Sequence, residues 1–519
     1  MYLTQALHRA LQQYPEQIAV RFAGRERSFR ELGERVARLA GGLQLLGMKR
    51  GDRAAILSLN SDRFLEYQMA VPWGGGVMNP CNVRWSAAEV LYALNDSDSV
   101  LLLVDDALLP LVERIRGDAR SLRHVIYCGD SEAPKETQDY EALIAGTDPV
   151  SDALRQGDDL AGIFYTGGTS GRSKGVMLSH MNLCVSGLSL LAEGMARRGQ
   201  TYLHAAPMFH LADMGSALPH WLAGNTHSII PAFSPAAMLE AIERDRVSTV
   251  LLVPTMIQML LDHLALQPPR DLKSLEMLMY GASPISGTLL EHAIAALPHV
   301  EFVQGYGMTE LCALGTINLS HREEREKATI HKLRSAGRPF CCTEVRVIDE
   351  RGEEVPRGTV GEVVVRGANV MRGYWKQPVE TASSLREGWM HTGDAGYMDE
   401  SGFLFVVDRL KDMIITGGEN VYSAEVESAI AQHPAVAACA VVGIPSGQWG
   451  EAVHAVVVPK PGHPITAEEV ISHCRQLIAG YKCPRSVEFR EALPLSGAGK
   501  VLKSGLREPY WRDREARVS

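Results

Sequence analysis

The residues best suited to chemistry stand at positions 165–175, which read Tyr-Thr-Gly-Gly-Thr-Ser-Gly-Arg-Ser-Lys-Gly. Glycine reaches positive φ without a Cβ clash, so the four glycines can turn backbone N–H groups toward an anion. Thr166, Thr169 and Ser170 add hydroxyl donors, and Lys174 adds a mobile positive charge suited to phosphate. Such a loop wraps a polyphosphate. It is not a Walker loop, because Ser173 and Gly175 stand where glycine must precede the lysine and Ser or Thr must follow it. Nor is there a dinucleotide fingerprint: the nearest match, Gly305-Tyr306-Gly307, lacks the third glycine. A flexible Gly/Ser linker shares the composition, but linkers are not usually pinned between apolar runs such as 160–164 and 176–178.

A second constellation is Gln304-Gly305-Tyr306-Gly307-Met308-Thr309-Glu310. Its glycines let a flat base approach the backbone, and Tyr306 offers a ring to stack on. Thr309 can donate to a phosphate oxygen. Glu310 supplies a hard carboxylate oxygen of the kind Mg²⁺ takes alongside water and substrate phosphates. The plainer alternative is a Tyr-Gly turn with a surface glutamate. Gly281-Ala282-Ser283-Pro284 follows the apolar run 278–280, at the carboxyl end of a strand, where open α/β sheets bind ligands. From that motif alone, a turn without a ligand is the better reading. The same holds for His210 behind Pro207-Met208-Phe209, since a lone histidine among apolar residues is more often a core residue. Residues 408–412, Asp-Arg-Leu-Lys-Asp, fit a solvated charged turn, and Lys500 in its glycine-flanked loop fits a solvated lysine.

Taken together and in this order, these stretches resemble the adenylate-forming superfamily: acyl-CoA synthetases, aryl-CoA ligases, luciferases and the adenylation domains of peptide synthetases. The likeness covers nearly the whole chain and is greatest to the fatty acyl-CoA ligases. It implies ATP bound by Thr166, Gly167, Gly168, Thr169, Ser170, Gly171, Lys174, Gly281, Ala282, Ser283, Gln304, Gly305, Tyr306, Gly307, Met308 and Thr309. Asp394, after a tight Thr392-Gly393 turn, would accept the ribose hydroxyls, and Arg409 would contact ribose or phosphate. Lys500, His210, Glu310 and Thr169 would be catalytic, with Mg²⁺ on Glu310. Lys411 would be the hinge between two domains. Gly417, Gly418 and Glu419 would line a tunnel for coenzyme A. His210, Met214 and Gly215 would shape the acyl pocket, His210 orienting the carboxylate. Gly361 to Val365 and Gly373-Tyr374-Trp375 would serve packing, and Lys503 replaces a usual arginine.

The activity so implied is ATP-dependent formation of an acyl-adenylate and then a CoA thioester, with release of AMP and pyrophosphate. The expected partners are a small carboxylic acid, ATP and CoA. Small residues at Ala212, Gly215, Ser216 and Ala217 leave room for an apolar acid, a medium- or long-chain fatty acid first and an aryl or cinnamic acid second. An enzyme that loads a carrier protein is the further alternative. His210 speaks against amino acids, for which peptide-synthetase domains carry an aspartate in this motif, and no carrier domain is appended. A nucleotide binder without catalysis is disfavoured by the presence of Lys500, Glu310 and Asp394. Asp213 would be costly in a pocket unless paired, so an outward orientation is expected.

The elements that must position these residues follow from periodicity. Leu3, Leu7 and Leu11 share a helical stripe, and Ser28–Glu31, Ser86–Glu89 and Thr466–Glu469 each form a capping-box pair ahead of a helix. Continuous apolar runs at 54–57, 100–104 and 249–253 suit strands covered on both faces. Helices alternating with strands imply an α/β fold with mostly parallel sheets. The expected division is a large domain over 1–407, a hinge at 408–412 and a small mobile α+β domain over 413–519, in which 421–433 reads as a helix.

A chain of 519 residues exceeds one ordinary core, and a net charge of -9 disfavours a general nucleic-acid binder. Arg197-Arg198 reads as a solvated pair. Nine cysteines without Cys-x-x-Cys spacing suggest reduced thiols in a cytoplasmic enzyme. Neither a leader nor an apolar run of membrane-spanning length is found, so integral membrane association is not expected, and the chain is read as a monomer or homodimer.

Overall fold

The computed structural model describes residues 1–166, 173–266, 268–283, 285–319, 330–333, 335–495 and 501–512. Among them, two large sheets carry the expected α/β pattern. In the nine-stranded sheet, Thr201–His204, Thr226–Ile229, Thr249–Leu252, Met277–Gly281 and Glu301–Tyr306 run parallel, and antiparallel strands close both edges. The eight-stranded sheet is built on Arg53–Leu57, Val77–Pro80, Ser99–Val104 and Leu160–Thr166, again parallel. Ser99–Val104 is buried along its whole length, as a strand covered by helices on both faces must be.

Side-chain caps set where the helices begin. Ser28, Ser86 and Thr466 each accept from the backbone three residues on and receive the matching glutamate in return. Ser179 does the same with Asn182 ahead of helix His180–Ala192. Asn182 also donates to the carbonyls of Ala368 and Val370 at 2.8 and 2.9 Å, tying that helix to the segment before Gly373.

Beyond residue 340 the described strands pair antiparallel, apart from Ser486–Phe489, which runs parallel to Gly450–Pro459. Thr343–Ile348, Gly361–Gly367, Trp389–Met398 and Leu404–Arg409 share one sheet. A last sheet joins Ile414–Thr416, Glu419–Val421, Val436–Ser446, Gly450–Pro459 and Ser486–Phe489, backed by helices Ser423–Ala431 and Ala467–Leu477 over its own apolar cluster.

Three expectations need correction. The residues leading to Asp394 do not form a tight turn but lie inside strand Trp389–Met398, where Gly393 at φ +68° and a register shift after Ala395 supply the local distortion. Helix 421–433 is shorter, Ser423–Ala431, because Glu419–Val421 is drawn into a hairpin strand. Asp213 does not face outward: it is fully buried, and the pairing that makes this tolerable is described below. Arg197 meets the solvated reading, exposed and ion-paired with Glu276 at 2.5 Å.

Candidate active site

Leu160–Thr166 and Lys174–Ser179 form an antiparallel pair with Thr166 opposite Lys174, so the two strand ends that flank the glycine-rich stretch lie side by side. Gly167, Gly168, Thr169, Ser170 and Gly171 lie outside the described residues, as does Lys500. Strand Gly373–Tyr374 pairs with the same hairpin, Tyr374 opposite Val176. This lays the Tyr374 ring beneath Lys174, whose ammonium stands 4.9 Å from the ring centre. The Tyr374 hydroxyl donates to Glu310 Oε1 at 2.8 Å. Burial, and then the Glu310 charge, push the phenol well above its ordinary pKa, so it stays a proton donor. Tyr374 thus bridges the two motifs richest in chemistry, although its sequence context pointed only to packing.

Glu310 is buried in a single 3₁₀ turn, Thr309–Leu311, and its carbonyl accepts from the Met371 N–H at 2.8 Å. The next two residues, Cys312 and Ala313, both have positive φ, +50° and +84°, an unusual pair for residues with a Cβ. Among the described residues no group of three or more His, Cys, Asp or Glu could hold a metal. A lone carboxylate fits Mg²⁺ that takes its remaining ligands from phosphate and water.

Tyr306 ends strand Glu301–Tyr306 and donates its hydroxyl to Asp394 Oδ2 at 2.6 Å. Arg409 Nε meets the other oxygen, Oδ1, at 2.7 Å, because strands Trp389–Met398 and Leu404–Arg409 place Asp394 directly opposite Arg409. Burial raises the Tyr306 pKa, as does Asp394 beside it. For Arg409, burial pulls the guanidinium down, but Asp394 together with Tyr306, Glu310 and Asp412 around it outweighs that, leaving the pKa above the ordinary value. Glu362 steadies this edge, accepting from Gly393 N at 3.2 Å and pairing with His391 Nδ1 at 2.8 Å. Both oxygens of Asp394 are engaged, so a ribose would share the carboxylate with Tyr306 and Arg409.

Gly281 and Gly305 face each other at the ends of adjacent parallel strands. A Cβ on Gly281 would come within 2.3 Å of the Gly305 carbonyl oxygen, and one on Gly307 within 2.1 Å of the Ala313 carbonyl. Only glycine lets these backbones close to that distance. Ala282 follows at φ +65°, turning the chain sharply before Ser283. Gln304 lies next to Tyr280, whose hydroxyl donates to it at 3.5 Å, and Met308 and Thr309 continue the chain to Glu310.

His210 caps helix Leu211–Ala223, its Nδ1 accepting from Ala212 N at 3.3 Å. One turn on, Gly215 lets the helix press against Ala313, since a Cβ there would lie 2.6 Å from that of Ala313. The helix carrying His210 and Met214 therefore packs against the strained loop that follows Glu310.

Lys411 lies in the turn Leu410–Asp412, and burial holds its ammonium below the usual lysine range. Gly417 and Gly418, at φ +61° and +83°, make the two-residue turn between Ile414–Thr416 and Glu419–Val421. These residues and the exposed Glu419 belong to the last sheet, apart from the contacts that join Lys174, Tyr374, Glu310, Tyr306, Asp394 and Arg409.

The sequence matches the model of the AMP-binding enzyme family over residues 7–375, and that of the AMP-binding enzyme C-terminal domain over 425–500. It is 41% identical to a feruloyl-CoA synthase from an Amycolatopsis species, with 96% of each chain covered. It is 37% identical to a long-chain-fatty-acid–CoA ligase of Thermus thermophilus, over 93% of this chain and 90% of that one. The fold superposes on ATP-bound MatB from Rhodopseudomonas palustris with a TM-score of 0.87 at 31% identity, covering 99% of both chains. A chain so matched along its length belongs to the AMP-binding enzyme family and is an adenylate-forming acid–thiol ligase.

Proposed function

We propose that the protein joins an apolar carboxylic acid to coenzyme A, first by adenylating it with ATP and then by passing the acyl group to the thiol. The reading rests chiefly on one polar cluster, Lys174–Tyr374–Glu310 beside Tyr306–Asp394–Arg409, which supplies donors for phosphate at one end and for a nucleoside at the other. In-line attack of the carboxylate on the α-phosphate builds charge on the bridging and equatorial oxygens, and fixed donors are what lower such a barrier. In this reading Lys174, Thr309 and the loop 166–171 hold the phosphates, and Asp394 and Arg409 hold the ribose. Tyr306 and the turn at Gly281, Ala282 and Ser283 receive the adenine. Mg²⁺ bound through Glu310 would neutralise phosphate charge. His210 orients the acid in a pocket with Met214 and Gly215, and Lys500 bridges the acid and the nucleotide.

Residues 1–407 form the adenylating unit and 413–519 the small unit, with 408–412 between them. Rotation about Lys411 exchanges Lys500 for a thiol channel near Gly417, Gly418 and Glu419. The same surface thereby serves two successive reactions.

For the acid, an aryl or cinnamic type now leads over a fatty acid. The support is the 41% identity to feruloyl-CoA synthase, against 37% to the long-chain ligase. The test is a panel running from ferulate and cinnamate to octanoate and palmitate, scored by CoA-dependent release of AMP and pyrophosphate. Stoichiometric release with the phenylpropanoid acids in preference to the aliphatic ones is expected. ATP binding without turnover on any acid would overturn the ligase reading, and preference for the aliphatic acids would return the fatty acid to first place.

A further inference from the structure

Asp213, expected to face outward, is buried instead, and its surroundings give it a task. It lies on helix Leu211–Ala223, three residues after the His210 cap, and is fully buried. Its Oδ2 meets His204 Nδ1 at 2.6 Å, and its Oδ1 accepts from the Tyr202 hydroxyl at 3.3 Å. Both partners belong to strand Thr201–His204. The other nitrogen of His204, Nε2, meets His227 Nδ1 at 3.0 Å on the neighbouring parallel strand Thr226–Ile229. The circuit then returns to the helix, because the His227 ring stacks on Trp221 at 4.2 Å.

The helix is therefore held to two adjacent strands at two points, Asp213 near its start and Trp221 near its end. Burial keeps His227 far below its ordinary pKa and hence neutral. Among the described residues its Nε2 has no hydrogen-bond partner, and a bare lone pair there is less costly than an unpaired N–H. That favours the tautomer in which His227 Nδ1–H donates to His204 Nε2, and His204 Nδ1–H donates to the carboxylate. Every proton in the chain then points toward Asp213.

A buried carboxylate is an expensive way to hold a helix if holding is all it does. What it fixes is the end that carries His210 and Met214, on the opposite side from the close contact of Gly215 with Ala313. We infer that Asp213, through His204 and His227, is a positioning residue for acid recognition: it sets the depth and angle at which His210 meets the substrate carboxylate. The inference rests on the acid-binding role proposed above for His210.

The test compares wild type, Asp213→Asn, His210→Ala and the double variant, with ferulate and dodecanoate as probe acids. In Asp213→Asn, KM for the acid should rise about tenfold, the scale of losing one charge-assisted hydrogen bond, with KM for ATP unchanged. In the His210→Ala background the same change should add nothing, since its effect passes through His210. Equal shifts in both KM values, additive losses, or a lowered melting temperature with unchanged kinetics would each overturn the proposal. Should Asp213→Asn fail to fold, His204→Gln carries the same prediction from the other side of the contact. Failure of the functional reading is told apart by the wild type, which would then release no AMP with either acid.

Discussion

The hydroxyl of Tyr374 shows how much a single oxygen can organise. It joins the carboxylate of Glu310 to the ring that underlies Lys174. Tyr374→Phe would leave the ring and its cation contact in place and remove only the donor. Loss of one hydrogen bond to a charged group is worth roughly 1.5–3 kcal/mol, so kcat/KM for adenylation should fall about 10- to 100-fold. If Glu310 holds Mg²⁺, the variant should also need more of the ion, read by titrating Mg²⁺ in the pyrophosphate-release assay and by Mn²⁺ binding followed by electron paramagnetic resonance. An unchanged Mg²⁺ requirement and unchanged Mn²⁺ affinity would remove Tyr374 from the metal's surroundings. The Glu310 and Lys174 motifs were legible because their residue types announce their chemistry. Tyr374 was not, because its role depends on a pairing between strands about two hundred residues apart.

At the scale of elements, local signals were readable wherever a short-range rule sets the outcome. The capping boxes at Ser28, Ser86 and Thr466 depend on residues three apart, and all three helices begin there. Asp213 escaped because its partners, His204 and Tyr202, sit on a four-residue strand, Thr-Tyr-Leu-His, buried at every position, so alternation does not mark which face meets the helix. His180 is similar. It opens helix His180–Ala192, fully within the protein, and its Nδ1 accepts from the Leu3 N–H at 3.2 Å. Burial lowers its pKa to about 4. Protonation would set a second N–H against that of Leu3. The sign follows: between an unfolded pKa of about 6.5 and the folded value, the unfolded chain binds more protons, so stability falls as pH drops through this window. His220, lowered by burial to about 3, pulls the same way. The melting temperature should therefore fall from pH 7 to pH 4.5. His180→Asn, which keeps an acceptor but cannot titrate, should lose less over that interval. Parallel slopes for the two proteins would show that His180 does not govern the acid side.

For the molecule as a whole, the informative junction is the one between the antiparallel sheet and the last unit. Asp408, on strand Leu404–Arg409, accepts from Ser423 Oγ at 2.6 Å and from the N–H groups of Ser423 and Ala424, capping helix Ser423–Ala431 from outside. Lys503 reinforces the junction, donating to Ser423 Oγ at 2.6 Å and pairing with Glu427 at 2.7 Å. Burial alone would lower the Lys503 pKa, but Glu427 and Asp408 outweigh it and hold it above the ordinary lysine value. Lysine thus fills the place of the usual arginine without loss of charge. If the small unit turns about Lys411, this grip must break and re-form in each cycle. Asp408→Asn should weaken the captured orientation by about 1–2 kcal/mol, the scale of trading a charged acceptor for a neutral one. The ratio of the two half-reaction rates should then shift, measured with acid plus ATP for one and preformed acyl-adenylate plus CoA for the other. An unchanged ratio would show that Asp408 does not bias the rotation. Lys500→Ala should lower adenylation by roughly 10²–10³ and spare the thioester step, and equal loss in both would refute the alternation.

Arg409 and Lys411 are also the bonds after which trypsin cuts, and both are held: Arg409 by Asp394, and the Lys411 carbonyl and Asp412 side chain by Arg507. A protease can reach that peptide only while the clasp is undone. The nicking rate at this point would count spontaneous openings in the resting enzyme, a clock that needs no substrate and that each bound ligand should slow or quicken in its own way.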